Sequence, residues 1–85
     1  MDLRPIEKRL EDVLGRAKGW LPDGELADML ALVRAGEPGI ALENFCTQLE
    51  EYDVVVPSEI AIELQSLASI MGMPVSPWIE RAIHA

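Results

Sequence analysis

The apolar residues of this chain recur every three or four positions in five stretches, and turn residues separate these stretches. The first predicted helix runs from about residue 3 to 17, with an apolar stripe of Leu3, Ile6, Leu10, Val13, Leu14 and Ala17. Its other side carries both signs of charge, at Glu7, Lys8, Arg9, Glu11, Asp12 and Arg16, which is typical of a solvated face. The second predicted helix covers about 23–35, buries Leu26, Met29, Leu30 and Val33, and ends at Gly36.

The stretch from Gly36 to Pro57 is the one around which we expect the fold to be organised. Its apolar stripe contains Ala41, Leu42, Phe45, Leu49 and Tyr52, and the opposite side contains Glu43, Asn44, Thr47, Glu50 and Glu51. This pattern predicts a third helix that turns its aromatic residues to the core and its carboxylates outward. Residues 53–57 then form a buried linker, because the three valines have no second strand-like run with which to pair.

Two further helices complete the pattern. Ser58 is suited to the N-cap of the fourth, whose stripe is Ile60, Leu64, Leu67, Ala68 and Met71 and whose end is Gly72. Ser76 and Pro77 open a short fifth helix that carries Trp78, Ile79, Ala82 and Ile83. Short connections favour antiparallel neighbours, so residues 1–85 are expected to form a single all-α domain, a compact bundle of about five short amphipathic helices.

The charge of the chain is concentrated in its middle. The net charge is −8, and residues 23–63 hold ten acidic residues against Arg34 alone. Such a field repels nucleic acid and anionic lipid and attracts a basic protein, although acidity also serves solubility alone. No apolar run reaches membrane-spanning length, and charges interrupt the N-terminal apolar positions, so we expect no membrane partner, no signal peptide and a cytoplasmic location.

The residues needed for catalysis are missing. His84 is the only histidine and Cys46 the only cysteine, which leaves no catalytic relay, metal cluster or cofactor site to predict. Glutamates such as Glu43 and Glu50 lie on an outward face without the apolar pocket that a general acid needs. We therefore expect no enzyme. Trp20 and Trp78 are expected to cover the ends of the core or to anchor a partner, and the off-stripe Leu32 and Ile62 to be single exposed apolar residues.

Binding to another protein is the remaining function. The candidate partner-binding residues are Glu43, Asn44, Thr47, Gln48, Glu50, Glu51 and Asp53. Carboxylates accept charge-assisted hydrogen bonds from arginine and lysine, so an acidic helix is suited to the basic cleft of a nuclease. Two alternatives stay open. The face is only hydrated, or the chain is a helical adaptor that uses an apolar groove between helices.

A resemblance narrows this choice. The segment GEPGIALENFCTQLEEYDVVVP, followed by PSEIAIELQSLASIMGM, resembles the MafI family of small bacterial immunity proteins over residues 20–73. The resemblance implies stoichiometric inhibition of a cognate polymorphic or contact-dependent toxin, in several cases a ribonuclease. The sequence leaves the oligomeric state open, and we favour a monomer in the complex. It also implies that Gly36, Pro38 and Gly39 set the turn and that Leu42, Leu49 and Tyr52 face inward. Within this segment the resemblance is strongest at residues 36–39, 41–44, 48–49 and 51–53. Immunity proteins tend to diverge where they touch their toxins, so Thr47 and Glu50, which lie outside these positions, are candidates for contact with the toxin.

Overall fold

The computed structural model describes residues 5–74 and 77–83, within which the fold consists of five helices and no strand. The helices are α1 (Ile6–Arg16), α2 (Asp23–Arg34), α3 (Pro38–Glu51), α4 (Ser58–Ile70) and α5 (Pro77–Ile83). The radius of gyration of 11.7 Å matches the value of about 12 Å for a compact domain of this length. The all-α bundle is thus confirmed. Leu3, Ser76 and His84, together with the side chain of Trp78, lie outside what the structure describes.

The core is built from the apolar stripes of the helices, with α3 packed against α1, α2 and α4. Its largest fully buried side chains are Leu10, Val33, Leu42, Phe45, Leu49, Ile60, Leu64, Leu67 and Ile79. The stripe of α2 is shallower than predicted, because Leu26 and Leu30 are only half-buried. Leu32 also packs against the core, so its assignment as an exposed residue was wrong, whereas Ile62 is 51 % exposed as predicted. Trp20 is half-buried against the core.

Three helices end in the same Schellman turn. After α2 and α4, Gly36 (φ 82°) and Gly72 (φ 67°) adopt the left-handed conformation. The sequence predicted this conformation for Gly36, and for Gly72 it predicted the end of the helix. After α3 this conformation falls on Asp53 (φ 56°), whose neighbour Val54 donates its N–H to the carbonyl of Leu49 at 2.9 Å. A left-handed backbone strains a residue with a side chain, although aspartate tolerates it better than most.

The linker after α3 is buried only in part. Val56 is buried and Val54 half-buried, but Val55 is 92 % exposed, which corrects the prediction for 53–57 as a whole. An extended segment turns successive side chains to opposite sides, so the middle valine of the three faces solvent. At the start of α4, Pro57 occupies the N-cap and Ser58 is the first helical residue, so the helix begins one residue earlier than predicted.

Two residues lie on the opposite side from the one predicted. Tyr52, assigned to the inward stripe, is 48 % exposed because α3 ends at Glu51 and the turn carries its ring away from the core. Arg9, assigned to a solvated face, is only 5 % exposed. It donates from Nε and Nη2 to the Glu63 carboxylate of α4, at 3.0 and 2.6 Å, and from Nη2 to the Ser66 hydroxyl at 3.1 Å.

Candidate functional site

The predicted partner-binding residues divide into two neighbouring stripes on the outer surface of α3. Glu43, Thr47 and Glu50 follow one another by four and three residues and are all exposed. Asn44, Gln48 and Glu51 repeat this spacing one position later; Asn44 and Glu51 are exposed and Gln48 is half-buried. Asp53 lies beyond the helix in the strained turn, with its side chain exposed.

The first stripe borders a cleft. The cleft has a volume of about 240 Å³ and lies where α3 faces the end of α4 and the start of α5. Glu43, Thr47 and Glu50 supply its polar lining, and its other lining residues are Leu42, Cys46, Ala68, Met73, Pro74, Pro77 and Ile79. The geometry therefore combines two carboxylates and a hydroxyl with an apolar floor. We call this feature the α3 cleft.

The backbone around Gly72 positions the wall opposite α3. Its positive φ ends α4, and the N–H of Met73 bonds back to the carbonyl of Ala68 at 2.8 Å. This turn leads Met73 and Pro74 along the edge of the cleft rather than onward with α4. Ile79 of α5 is fully buried and contributes to the floor.

The carboxylates of α3 are not neutralised by neighbouring groups. Within the part of the chain that the structure describes, no ion pair involves Glu43, Glu50 or Glu51. The sequence of α3 contains neither lysine nor arginine, and Glu50 and Glu51 lie in its last turn. The carbonyl end of a helix carries partial negative charge, so these two residues are placed against the helix dipole. The arrangement costs stability and leaves the negative field directed at solvent.

Cys46 adds no charge to the cleft. Burial raises the pKa of its thiol from 9.0 to about 12, because desolvation disfavours the thiolate. The thiol therefore stays protonated at neutral pH and behaves as a small apolar lining residue. The electrostatic character of the cleft comes from Glu43 and Glu50.

A separate contact borders the other stripe, on the side of α2. The hydroxyl of Tyr52 donates a hydrogen bond to Glu25 Oε1 at 3.3 Å, so this hydroxyl lies at the edge of α3. The negative charge of Glu25 is the main reason that the pKa of Tyr52 is raised above 10.0, with burial, this hydrogen bond and Glu51 adding to it. Glu25 Oε2 is shielded from solvent and has no hydrogen-bond partner among the described residues.

The amphipathic pattern of the sequence predicted the polar lining residues of the α3 cleft but not its apolar lining residues. Amphipathic spacing identified Glu43, Thr47 and Glu50 but gave no reason to separate them from Asn44, Gln48 and Glu51. The signal that could have done so is the pair of prolines and the methionine after Gly72, which indicate a turn rather than a continued helix. Their position beside α3 depends on tertiary packing.

Among the described residues, no group of three or more histidine, cysteine, aspartate or glutamate side chains is placed to hold a metal ion. In that same part of the chain, no helix combines the length and the apolar character needed to cross a membrane.

Comparisons with protein-family models, with curated proteins and with solved structures found no match for this chain. Its function must therefore be argued from the site itself.

Proposed function

We propose that this protein is a bacterial immunity protein that binds a basic toxin domain through the outer surface of α3 and neutralises it by stoichiometric occlusion. The observation that carries the proposal is the state of the α3 carboxylates. Glu43, Glu50 and Glu51 are exposed and have no ion-pair partner among the described residues, and Glu50 and Glu51 lie at the end of the helix that disfavours acidic side chains. A sequence optimised for stability alone would place bases there. Acidic side chains at the carbonyl end of a helix oppose the usual stabilising placement of charge. Where such residues add no stability to the fold, they are expected to belong to a functional site.

The chemistry fits a nuclease toxin. An enzyme that grips a nucleic-acid backbone presents arginine and lysine side chains, which an array of carboxylates binds by charge-assisted hydrogen bonds. Occupation of that basic surface excludes the substrate without any reaction on the inhibitor. A nuclease acts on nucleic acid inside the cell, so we place the inhibitor in the cytoplasm. The resemblance to MafI proteins agrees with this proposal.

The test uses a basic toxin domain from a gene next to that of this protein, where the proposal expects one. It measures the kinetics of association between the two proteins over a salt series, together with a cell-protection assay. Reversal of Glu50 and Glu51 to lysine should slow association and weaken affinity by several kcal/mol, because like charges then face each other. Wild-type association should slow between low and physiological salt, as the Debye length contracts toward about 8 Å. Stability should not fall and should rise by about 1–2 kcal/mol at low salt, since both positions are exposed and a base replaces an acid at the carbonyl end of α3.

A matched control separates the site from the overall charge. Glu7 and Asp28 are exposed acids on α1 and α2, and their joint change to lysine shifts the net charge by the same amount. This control should keep nearly wild-type affinity at physiological salt. Equal loss in the control would assign the effect to net charge alone. Wild-type binding and protection by the Glu50 and Glu51 reversal would refute the proposed site.

The apolar floor of the α3 cleft also favours a second candidate, a helical adaptor that holds a partner by apolar contact. The two functions predict different salt dependence. Association with a basic toxin weakens as salt is added, whereas burial of apolar surface is insensitive to moderate salt or strengthened by it. An affinity that does not fall between low and physiological salt, without protection of cells, would support the adaptor.

A further inference from the structure

The α3 cleft is at the small end of the range for ligand sites and has room for one long side chain. Sites for small molecules usually enclose about 300–1,000 Å³, whereas this cleft has about 240 Å³. Its floor is apolar and one border is acidic, which is an uncommon pairing for a surface depression. The occupant must therefore bring both apolar length and positive charge.

We infer that the α3 cleft is the docking point for one arginine side chain of the basic partner, an inference that rests on the proposed function. The aliphatic part of arginine lies along apolar surface while its charged end stays at the polar border. Here the stem would contact Cys46, Ala68 and Met73, and the guanidinium would meet Glu43, Thr47 and Glu50. Burial of such an anchor at the centre of an interface is typical of residues that dominate binding.

The spacing of the acceptors favours arginine over lysine. Glu43 and Glu50 are two helical turns apart, about 10 Å along the axis, and Thr47 lies between them. A guanidinium carries five N–H donors on a planar fork and is weakly hydrated, so it bonds to several acceptors while its stem is buried. A lysine ammonium is a compact, strongly hydrated point charge, which pairs with one carboxylate at a time.

Other occupants fit the cleft less well. A phosphate or carboxylate group would face Glu43 and Glu50 with charge of the same sign. A purely apolar side chain would cover the floor but take water from the carboxylates without replacing their hydrogen bonds. The thiol of Cys46 is protonated and cannot offset either penalty.

The first experiment tests the cleft without the toxin. Amide chemical shifts of the folded protein are followed by NMR during titration with N-acetyl-arginine N-methylamide, and with its citrulline, lysine and norleucine counterparts. We expect saturable shifts at Cys46, Thr47 and Ile79 with the arginine compound, and at least threefold weaker binding of the other three. Citrulline keeps the shape of arginine and removes its charge, so it isolates the contribution of the carboxylates.

Variants locate the binding on α3. Glu43→Gln and Glu50→Gln should each weaken the arginine titration by at least twofold, whereas Glu51→Gln, in the other stripe of the same helix, should leave it unchanged. Equal binding of citrulline or lysine would overturn the assignment to arginine. So would shifts scattered over the acidic surface, an equal effect of Glu51→Gln, or the absence of saturable shifts.

The second experiment separates this inference from the proposed function. Thr47→Leu narrows the cleft without changing charge, and Ser69→Leu places the same side chain at an exposed position of α4 that does not line the cleft. Thr47→Leu should weaken toxin binding at least tenfold and Ser69→Leu less than twofold. If the toxin binds both variants equally yet is lost on reversal of Glu50 and Glu51, the proposed function stands and the cleft inference fails. If the toxin does not bind while arginine still titrates the cleft, the proposed function fails and the arginine selectivity stands.

Discussion

The helices α1 and α3 have similar amphipathic patterns, but their charged side chains differ in whether they pair with other helices of the fold. On α1, Arg9 is buried against Glu63 of α4, and Nη2 of Arg16 lies 2.8 Å from Oε1 of Glu59. On α3, the described residues provide no ion-pair partner for the exposed Glu43 and Glu50. The charges of α1 connect helices of the fold, whereas those of α3 remain available to a partner.

The two helices also differ in how they match their own dipoles. α1 has Glu7 in its first turn and Arg16 in its last, which is the stabilising arrangement. α3 has no acidic residue in its first turn and ends with Glu50 and Glu51. Amphipathic spacing alone therefore does not reveal what a charged face does. The sign of the charges, their position along the helix and their reach to a neighbouring helix decide it.

The largest expected difference concerns the partners of these charges. Glu63→Ala leaves the buried guanidinium of Arg9 without its carboxylate and should lower the free energy of unfolding by about 2–3 kcal/mol. Glu50→Ala removes an exposed carboxylate from the outer surface of α3 and should change the free energy of unfolding by less than about 0.5 kcal/mol. Chemical denaturation monitored by circular dichroism measures both.

A double variant serves as the control for this pair. Arg9→Met combined with Glu63→Leu replaces the ion pair by apolar side chains and should recover most of the lost stability. If Glu63→Ala costs no more than Glu50→Ala, the ion pair of α1 is no more structural than the surface of α3, and the comparison fails.

A smaller effect is expected at the end of α3. Asp53→Gly relieves a left-handed backbone and removes a negative charge beside the carbonyl end of the helix, so we expect a gain of about 0.5–1 kcal/mol. Gly36→Asp, the reverse change in the equivalent turn after α2, should lose a similar amount. Thermal unfolding of both variants measures the effect. A loss of stability in Asp53→Gly would mean that the carboxylate supports the turn.

The smallest effect comes from the helix dipoles. Glu51→Gln should raise the free energy of unfolding by about 0.3–1 kcal/mol at low salt, and Glu7→Gln should lower it by a similar amount. Both changes remove one negative charge, so the opposite signs isolate position along the helix. Urea denaturation at low and high salt is suitable, because screening should shrink both differences. Equal signs would show that net charge and not the dipole is responsible.

Local pattern was sufficient for much of the fold. Apolar spacing predicted the five helices and the burial of Phe45 and Leu49, because an amphipathic helix has one way to remove its apolar stripe from water. Glycine predicted the ends of α2 and α4, because only a residue without a side chain adopts positive φ without strain. Asp53 shows the limit of that rule, since its conformation follows from the turn after α3 and not from its own preference.

By itself the sequence determined the helical class, most of the core and the outward direction of the α3 carboxylates. These properties depend on neighbours within one or two helical turns. Tertiary structure alone decided that Arg9 is buried, since its partner Glu63 is 54 residues away. It also decided that Glu43, Thr47 and Glu50 border a cleft, since Ala68 and Ile79 reach that surface only through the packing of α4 and α5. Contacts between helices depend on how several stripes are buried together, and no periodicity within one helix records that arrangement.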